Sequence, residues 1–185
     1  IFKGQDITHL PAHRIAHLGI GRSYQITNVF PNLTVLENVR LAAQALGQDN
    51  FKLLTDYKRF TKYEERAWTV LEQVGLAKAG YSFVSALPHG DKRRLELAML
   101  LAQDNEVLLL DEPTAGLATE QVPEFMSLVK EIVANSGAAS SSAGTQSKKT
   151  VVLVEHNMSV VMSLSDRISV MHQGRLLAEG TPIEI

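Results

Sequence analysis

The chain has 185 residues, enough for one domain of ordinary size or one domain with a small subdomain. Lys and Arg number 18 against 20 Asp and Glu, and the resulting net charge of −2 argues against a nucleic-acid binder, which carries a basic excess. Without cysteine there are no disulfides or thiolate metal sites, and no apolar run reaches the ~18–20 residues that span a bilayer.

From the N-terminus, Gly19-Ile20-Gly21 leads into a short predicted strand over 20–25. Thr34-Val35-Leu36-Glu37 is a capping box, so a helix is expected over 35–45. Residues 56–74 are polar with Phe60, Trp68, Val70, Leu71 and Val74 interspersed. They predict one long or two short amphipathic helices ended by Gly75. Leu87-Pro88-His89-Gly90 breaks the pattern. A helix over 91–103 follows, with Leu95, Met99 and Ala102 on one face, widened by Leu97, Leu100 and Leu101.

Residues 107–110 form a strand, and 120–134 a helix that tolerates Pro123 only in its first turn. A buried strand is expected over 151–154, then a short helix over 157–164. The stretches 167–171 and 175–178 flank Gln173-Gly174 as a hairpin. Between helix and strand, residues 136–149 are rich in Ser, Ala and Gly. Such connections usually take about 2–6 residues, so this is an exposed insertion: a solvated spacer, or alternatively a regulatory or partner-binding loop.

The chemistry concentrates where Val107-Leu108-Leu109-Leu110 ends in Asp111-Glu112-Pro113. A buried strand delivers two carboxylates to the carboxyl edge of a sheet, where open α/β sheets carry their sites. Two acids there suit a divalent metal and a general base. His156 follows the 151–154 strand and sits at the same kind of edge. Other features have plainer explanations. His9, His13 and His17 recur every four residues around Pro11 as a solvated helix turn. Lys92-Arg93-Arg94 is a solvated helix start.

Taken in order, these segments resemble the ATP-binding subunits of ABC transporters, most of all the branched-chain amino-acid uptake branch. The resemblance runs through Gly19-Ile20-Gly21-Arg22-Ser23-Tyr24-Gln25, the stretch from Phe30 to Val39, and Leu87-Pro88-His89-Gly90-Asp91-Lys92-Arg93. It continues through Leu108 to Leu117, Val154-Glu155-His156-Asn157-Met158 and His172 to Pro182. It implies an α/β fold with the mostly parallel sheet of an incomplete P-loop NTPase. A helical subdomain is inserted at 34–101, and a small hairpin closes the chain.

By resemblance Asp111 reaches the Mg²⁺ shell, Glu112 polarises the attacking water, and His156 contacts the γ-phosphate of ATP. Gln25 touches the metal site near the contact with the membrane subunit. Pro88, His89, Gly90 and Asp91 lie in the signature loop that grips nucleotide held on the opposite subunit. Pro88 stands where a serine is usual, Lys92 where a glutamine is common, and Ala118 where an Asp is frequent. The implied cofactors are ATP and Mg²⁺. The implied partners are transmembrane permease subunits and a second ATP-binding subunit, homologous or identical. The implied location is peripheral, on the cytoplasmic face of the inner or plasma membrane.

No G-x-x-x-x-G-K-[ST] loop occurs in the 185 residues. The expectation is therefore a fragment, with a strand, the phosphate loop and its helix preceding Ile1. An ABC-type ATPase is expected of the parent and no turnover of the isolated chain. The rivals are a non-catalytic fragment or pseudo-subunit that keeps a dimer or membrane-subunit contact, and an ABC ATPase used outside transport. Two adjacent acids without a phosphate cradle repel a polyphosphate unless a cation intervenes. Calorimetric titration of the 185-residue chain with Mg-ATP should accordingly give weak binding or none. Micromolar affinity at one site per chain would mean that a cradle exists within it.

Overall fold

The computed structural model describes residues 1–24, 28–45, 47, 61–135 and 149–185. Three strands, Ile20–Arg22 (β1), Val107–Asp111 (β2) and Thr150–Val154 (β3), form a parallel sheet in the order β1-β2-β3. Their register pairs Ile20 with Val107 and Asp111 with Val154, so β2 and β3 end level. Parallel pairing needs crossover segments between strands, and these are helical. Between β1 and β2 lie Val35–Ala45 (α2), Thr61–Gln73 (α3) and His89–Ala102 (α4). Between β2 and β3 lies Val122–Asn135 (α5). A short helix, Ala12–His17 (α1), precedes β1.

Leu108 and Leu110 point to one face of β2 and are buried in the same apolar core as Phe125, Met126 and Val129 of α5. Val160 of Met158–Leu164 (α6) completes this side. The expected two-sided burial of β3 is corrected here. Val151 and Leu153 face the core, whereas Val152 is 49% and Val154 56% exposed. An unbroken apolar run looks the same whether one face or both are covered. Among the described residues β3 is the outer strand of its sheet, and strand alternation turns half its side chains away from the core.

The helices before β2 show how local signals and long-range contacts share the work. Thr34 Oγ1 accepts the Glu37 amide at 3.2 Å, which is half of the capping box. The reciprocal half does not form. The Glu37 carboxylate takes the Arg40 guanidinium instead, with an Nε–Oε2 distance of 2.8 Å. That hydrogen bond holds the Glu37 carboxyl below its ordinary value. The stabilisation is therefore present above the unfolded-state value and fades as pH falls through the lowered one. The first two amides of α2 go to distant carbonyls: Val35 to Ser82 and Leu36 to Gly80, at 3.0 and 2.9 Å. Orphan donors of a helix start are thus satisfied by a loop that follows α3.

Helix α3 buries Tyr63, Ala67, Val70 and Leu71, a spacing that makes one helical stripe. It ends where expected, with Leu76 N donating to Leu71 O at 2.8 Å and Gly75 N to Glu72 O at 3.1 Å. These are the paired bonds of a Schellman ending. Residues 56–60, the start of the expected helical stretch, lie outside the described residues. Helix α4 is buried on most sides, through Leu95, Leu97, Ala98, Leu100, Leu101 and Ala102. It joins the packed helices to the sheet within one apolar core.

The C-terminal hairpin forms as expected. Ile168–His172 (β4) and Arg175–Gly180 (β5) are antiparallel, with Gln173 and Gly174 both at positive φ, 47° and 75°. Two left-handed residues make the tight turn that matches strand twist. The 136–149 stretch lies outside the described residues up to 148. Its last residue, Lys149, is anchored, donating to Asn105 O at 2.7 Å and Asp104 Oδ1 at 3.3 Å. Among the described residues no helix is long and apolar enough to cross a membrane.

Asn38 is fully buried within α2 and staples the segment before it. Its Oδ1 accepts Phe30 N at 2.8 Å, and its Nδ2 donates to Phe30 O and Thr34 O at 3.1 and 2.9 Å. Asn38→Ala removes all three bonds and should lower the unfolding free energy by about 2 kcal/mol in urea titration. A loss under roughly 0.5 kcal/mol would mean that the segment is anchored elsewhere.

Candidate functional site

The parallel register of β2 and β3 brings three of the expected residues to one edge. Asp111 closes β2, and its amide donates to Ser23 Oγ at 3.1 Å. Its carboxylate lies 3.4 Å from the Arg22 guanidinium, at the end of β1. Both groups are partly exposed, so this pair contributes at most about 1 kcal/mol and leaves the carboxylate open to exchange partners. Strand β1 ends at Arg22, three residues short of its expected end, and Gln25 lies outside the described residues.

Glu112 leaves the strand in a left-handed conformation, φ 45°. That region is uncommon for a residue with a Cβ, and proline at 113 disfavours helical backbone before it. Its amide still donates to Val154 O at 2.9 Å, extending the β2–β3 ladder by one rung. The carboxylate meets His156, whose Nδ1 lies 3.6 Å from Glu112 Oε1. The imidazole is 77% exposed and free to meet a ligand, while the Glu112 side chain is mostly covered at 31%. Asn157 caps α6 through its Oδ1, which accepts the Ser159 amide at 3.1 Å and the Val160 amide at 3.4 Å. The His156 backbone is thus held between a strand end and a capped helix.

The second cluster forms at the start of α4. The helix begins at His89, two residues earlier than expected. Pro88 occupies the N-cap with φ −56° and ψ 157°, and no side chain caps the helix. The N-cap position requires no amide donor, so proline is tolerated there and the helix starts at the next residue. His89, Gly90 and Asp91 accordingly form the first helical turn. They pack against the loop after Glu112 in the same chain. Gly116 is at φ 78°, and a Cβ there would come within 2.8 Å of His89 Cε1. A Cβ on Gly90 would lie 3.1 Å from the Gln121 side-chain amide, whose oxygen accepts the Ala118 amide at 3.3 Å.

A cavity of about 670 Å³ opens beside this loop. It runs between α5 and α6, with Leu117, Met126 and Val160 on its walls and His156 at its rim.

Among the described residues no three His, Asp or Glu side chains gather closely enough to cage an ion. Mg²⁺ is commonly held by one or two carboxylates with substrate phosphates and waters completing the shell. The open Asp111 carboxylate fits that mode.

Two polar features escaped the sequence. Glu155, next to His156, accepts from Thr114 N at 3.1 Å and from Thr114 Oγ1 at 2.5 Å. Its adjacency to His156 was the only available signal. Arg93 is the other, and it corrects the expectation of a solvated basic start to α4. Its side chain is 6% exposed and pairs with Glu96, 11% exposed, at 2.9 Å. Glu96 Oε1 also accepts Asn28 N at 2.9 Å, and Arg93 Nη2 donates to Ala115 O at 3.3 Å. One buried ion pair therefore ties both the segment after Gln25 and the loop after Glu112 to α4.

The family model described as ABC transporter matches residues 1–115. A curated relative, the high-affinity branched-chain amino acid transport ATP-binding protein LivG of Escherichia coli (strain K12), is 35% identical over 190 aligned positions. The alignment covers 100% of this chain and 70% of that protein. Among solved structures, CbiO1 from Clostridium perfringens, part of an ABC transporter complex, is 28% identical with a TM-score of 0.68. The match covers 90% of this chain and 58% of that one. The ATP-binding cassette MJ1267 of an ABC transporter has a TM-score of 0.78 at 24% identity, covering 97% of this chain and 68% of that one, which speaks for the fold.

Removing one member of a buried pair leaves the other charge uncompensated. Glu96→Ala should cost about 3–5 kcal/mol in chemical denaturation. The double change Arg93→Met with Glu96→Leu should recover most of that loss. Equal destabilisation by the single and double variants would show that Arg93 serves its carbonyl acceptors rather than Glu96.

Proposed function

We propose, for a chain that belongs to the ABC transporter family, that its site hydrolyses ATP to drive uptake of branched-chain or related amino acids. The observation that carries the site assignment is the juxtaposition of Glu112 and His156, 3.6 Å apart at the ends of two paired parallel strands. Glu112 is the general base: its carboxylate sits at the strand edge beside His156, and only an acceptor can take a proton from the attacking water. His156 donates to the γ-phosphate, a role its exposure permits. Asp111, whose Arg22 contact is long at 3.4 Å, would hold Mg²⁺ together with Gln25. When bound, Mg²⁺ would supply positive charge to offset that of the phosphates.

Pro88, His89, Gly90 and Asp91 present the uncapped first turn of α4 to nucleotide bound on a second ATP-binding subunit. The helical region 34–101 acts as a subdomain in this arrangement, and 136–149 as a solvated insertion. The transport reading rests on the relatives named above. It implies permease subunits as partners and a peripheral position on the cytoplasmic side of the membrane.

Glu112→Gln should abolish Mg-ATP turnover nearly entirely while sparing nucleotide binding, because the change removes the proton acceptor and not a phosphate contact. Phosphate release at the unaltered rate would remove Glu112 from the role of base.

A further inference from the structure

We propose that Glu155 is a positioning residue that sets the distance between Glu112 and His156 by latching the turn between them. The inference rests on the roles given to those two residues above. Strands β2 and β3 are paired through Asp111 and Val154, and the last rung is the Glu112 amide on Val154 O. Beyond that rung the two segments leave the ladder. Glu112 enters a turn closed by the Ala115 amide on Glu112 O at 3.0 Å, while the other segment continues through Glu155 to His156. Among the described residues, no backbone hydrogen bond beyond that rung joins the two segments.

The Glu155 carboxylate supplies that tie. One oxygen, Oε1, receives both the amide and the hydroxyl of Thr114, at 3.1 and 2.5 Å. A hydroxyl-to-carboxylate contact of this length is of the charge-assisted kind. Thr114 lies two residues after Glu112, and Glu155 one residue before His156. The latch therefore spans the site one step back from its reacting groups.

Backbone geometry shows why a tie is needed. Glu112 holds a left-handed φ of 45° immediately before a proline. Such a conformation persists only where the surroundings over-determine it. The Val154 carbonyl fixes the residue on one side, and the Thr114–Glu155 bonds fix the turn on the other. Glu155 Oε2 is enclosed and has no hydrogen-bond partner among the described residues. Burying a carboxylate oxygen in this way is unfavourable. The arrangement is consistent with a residue retained for placement rather than for stability.

The test uses Glu155→Ala, Thr114→Val and Thr114→Ser, with Glu112→Gln as reference. In hydrogen exchange on the chain, Glu155→Ala should accelerate the Thr114 and Ala115 amides and leave the β4–β5 hairpin unchanged. In Mg-ATP turnover, Glu155→Ala and Thr114→Val should each lower kcat by about tenfold or more, with KM within about twofold. Thr114→Ser keeps both donors and should restore kcat. Unchanged exchange, or a lower melting temperature with unaltered kcat, would overturn the proposal and assign the pair to stability alone. Wild-type turnover in Glu112→Gln would instead overturn the general-base reading, and the exchange of Thr114 would still decide whether the latch exists.

Discussion

The level ending of β2 and β3 is the constraint on which the site depends. Parallel pairing at Asp111 and Val154, extended by the Glu112 amide, places two segments of remote sequence side by side at one edge. A shift of one residue would turn the inward side chains of β2 outward and carry the carboxylates away from His156. The burial of Leu108 and Leu110 against α5 resists such a shift, because each side chain loses its apolar contacts if displaced. Core packing and site geometry are thus set by the same register.

Helix α4 is the second determinant. It contributes apolar side chains to the core along most of its length, and its first turn lies against the loop after Glu112. The Arg93–Glu96 pair joins that loop to the segment after Gln25. Buried ion pairs are expensive to form, and their replacement by apolar residues is often neutral. This one makes directed bonds to two separate segments. Its contribution is to alignment, since the apolar side chains around it already supply attraction.

At the edge itself the structure trades local strain for orientation. A glutamate before proline in a left-handed conformation is a poor local choice. It is held by bonds from β3 and from Glu155, neither of which is close in sequence. The Glu112 carboxylate lies 3.6 Å from an exposed imidazole. The same loop supplies one wall of the cavity between α5 and α6, so its placement shapes both features.

By itself, the amino-acid sequence determined the element order and the hairpin, which depend on periodicity and turn residues, all of them local. The family and the mostly parallel sheet were legible through the resemblance that its motifs carry. Thr34, Gly75 and Gln173-Gly174 mark element boundaries correctly because caps and tight turns depend on a few adjacent residues. Tertiary structure decided what depends on residues far apart. It left one face of β3 uncovered, drew Arg93 into the interior, sent the Glu37 carboxylate to Arg40, and began α4 at His89. It also joined Glu155 to Thr114 and brought His156 toward Glu112, contacts across roughly forty positions whose geometry no local pattern encodes. The reason is physical: a side chain's partners are set by which elements pack together, and packing is a property of the assembled layers.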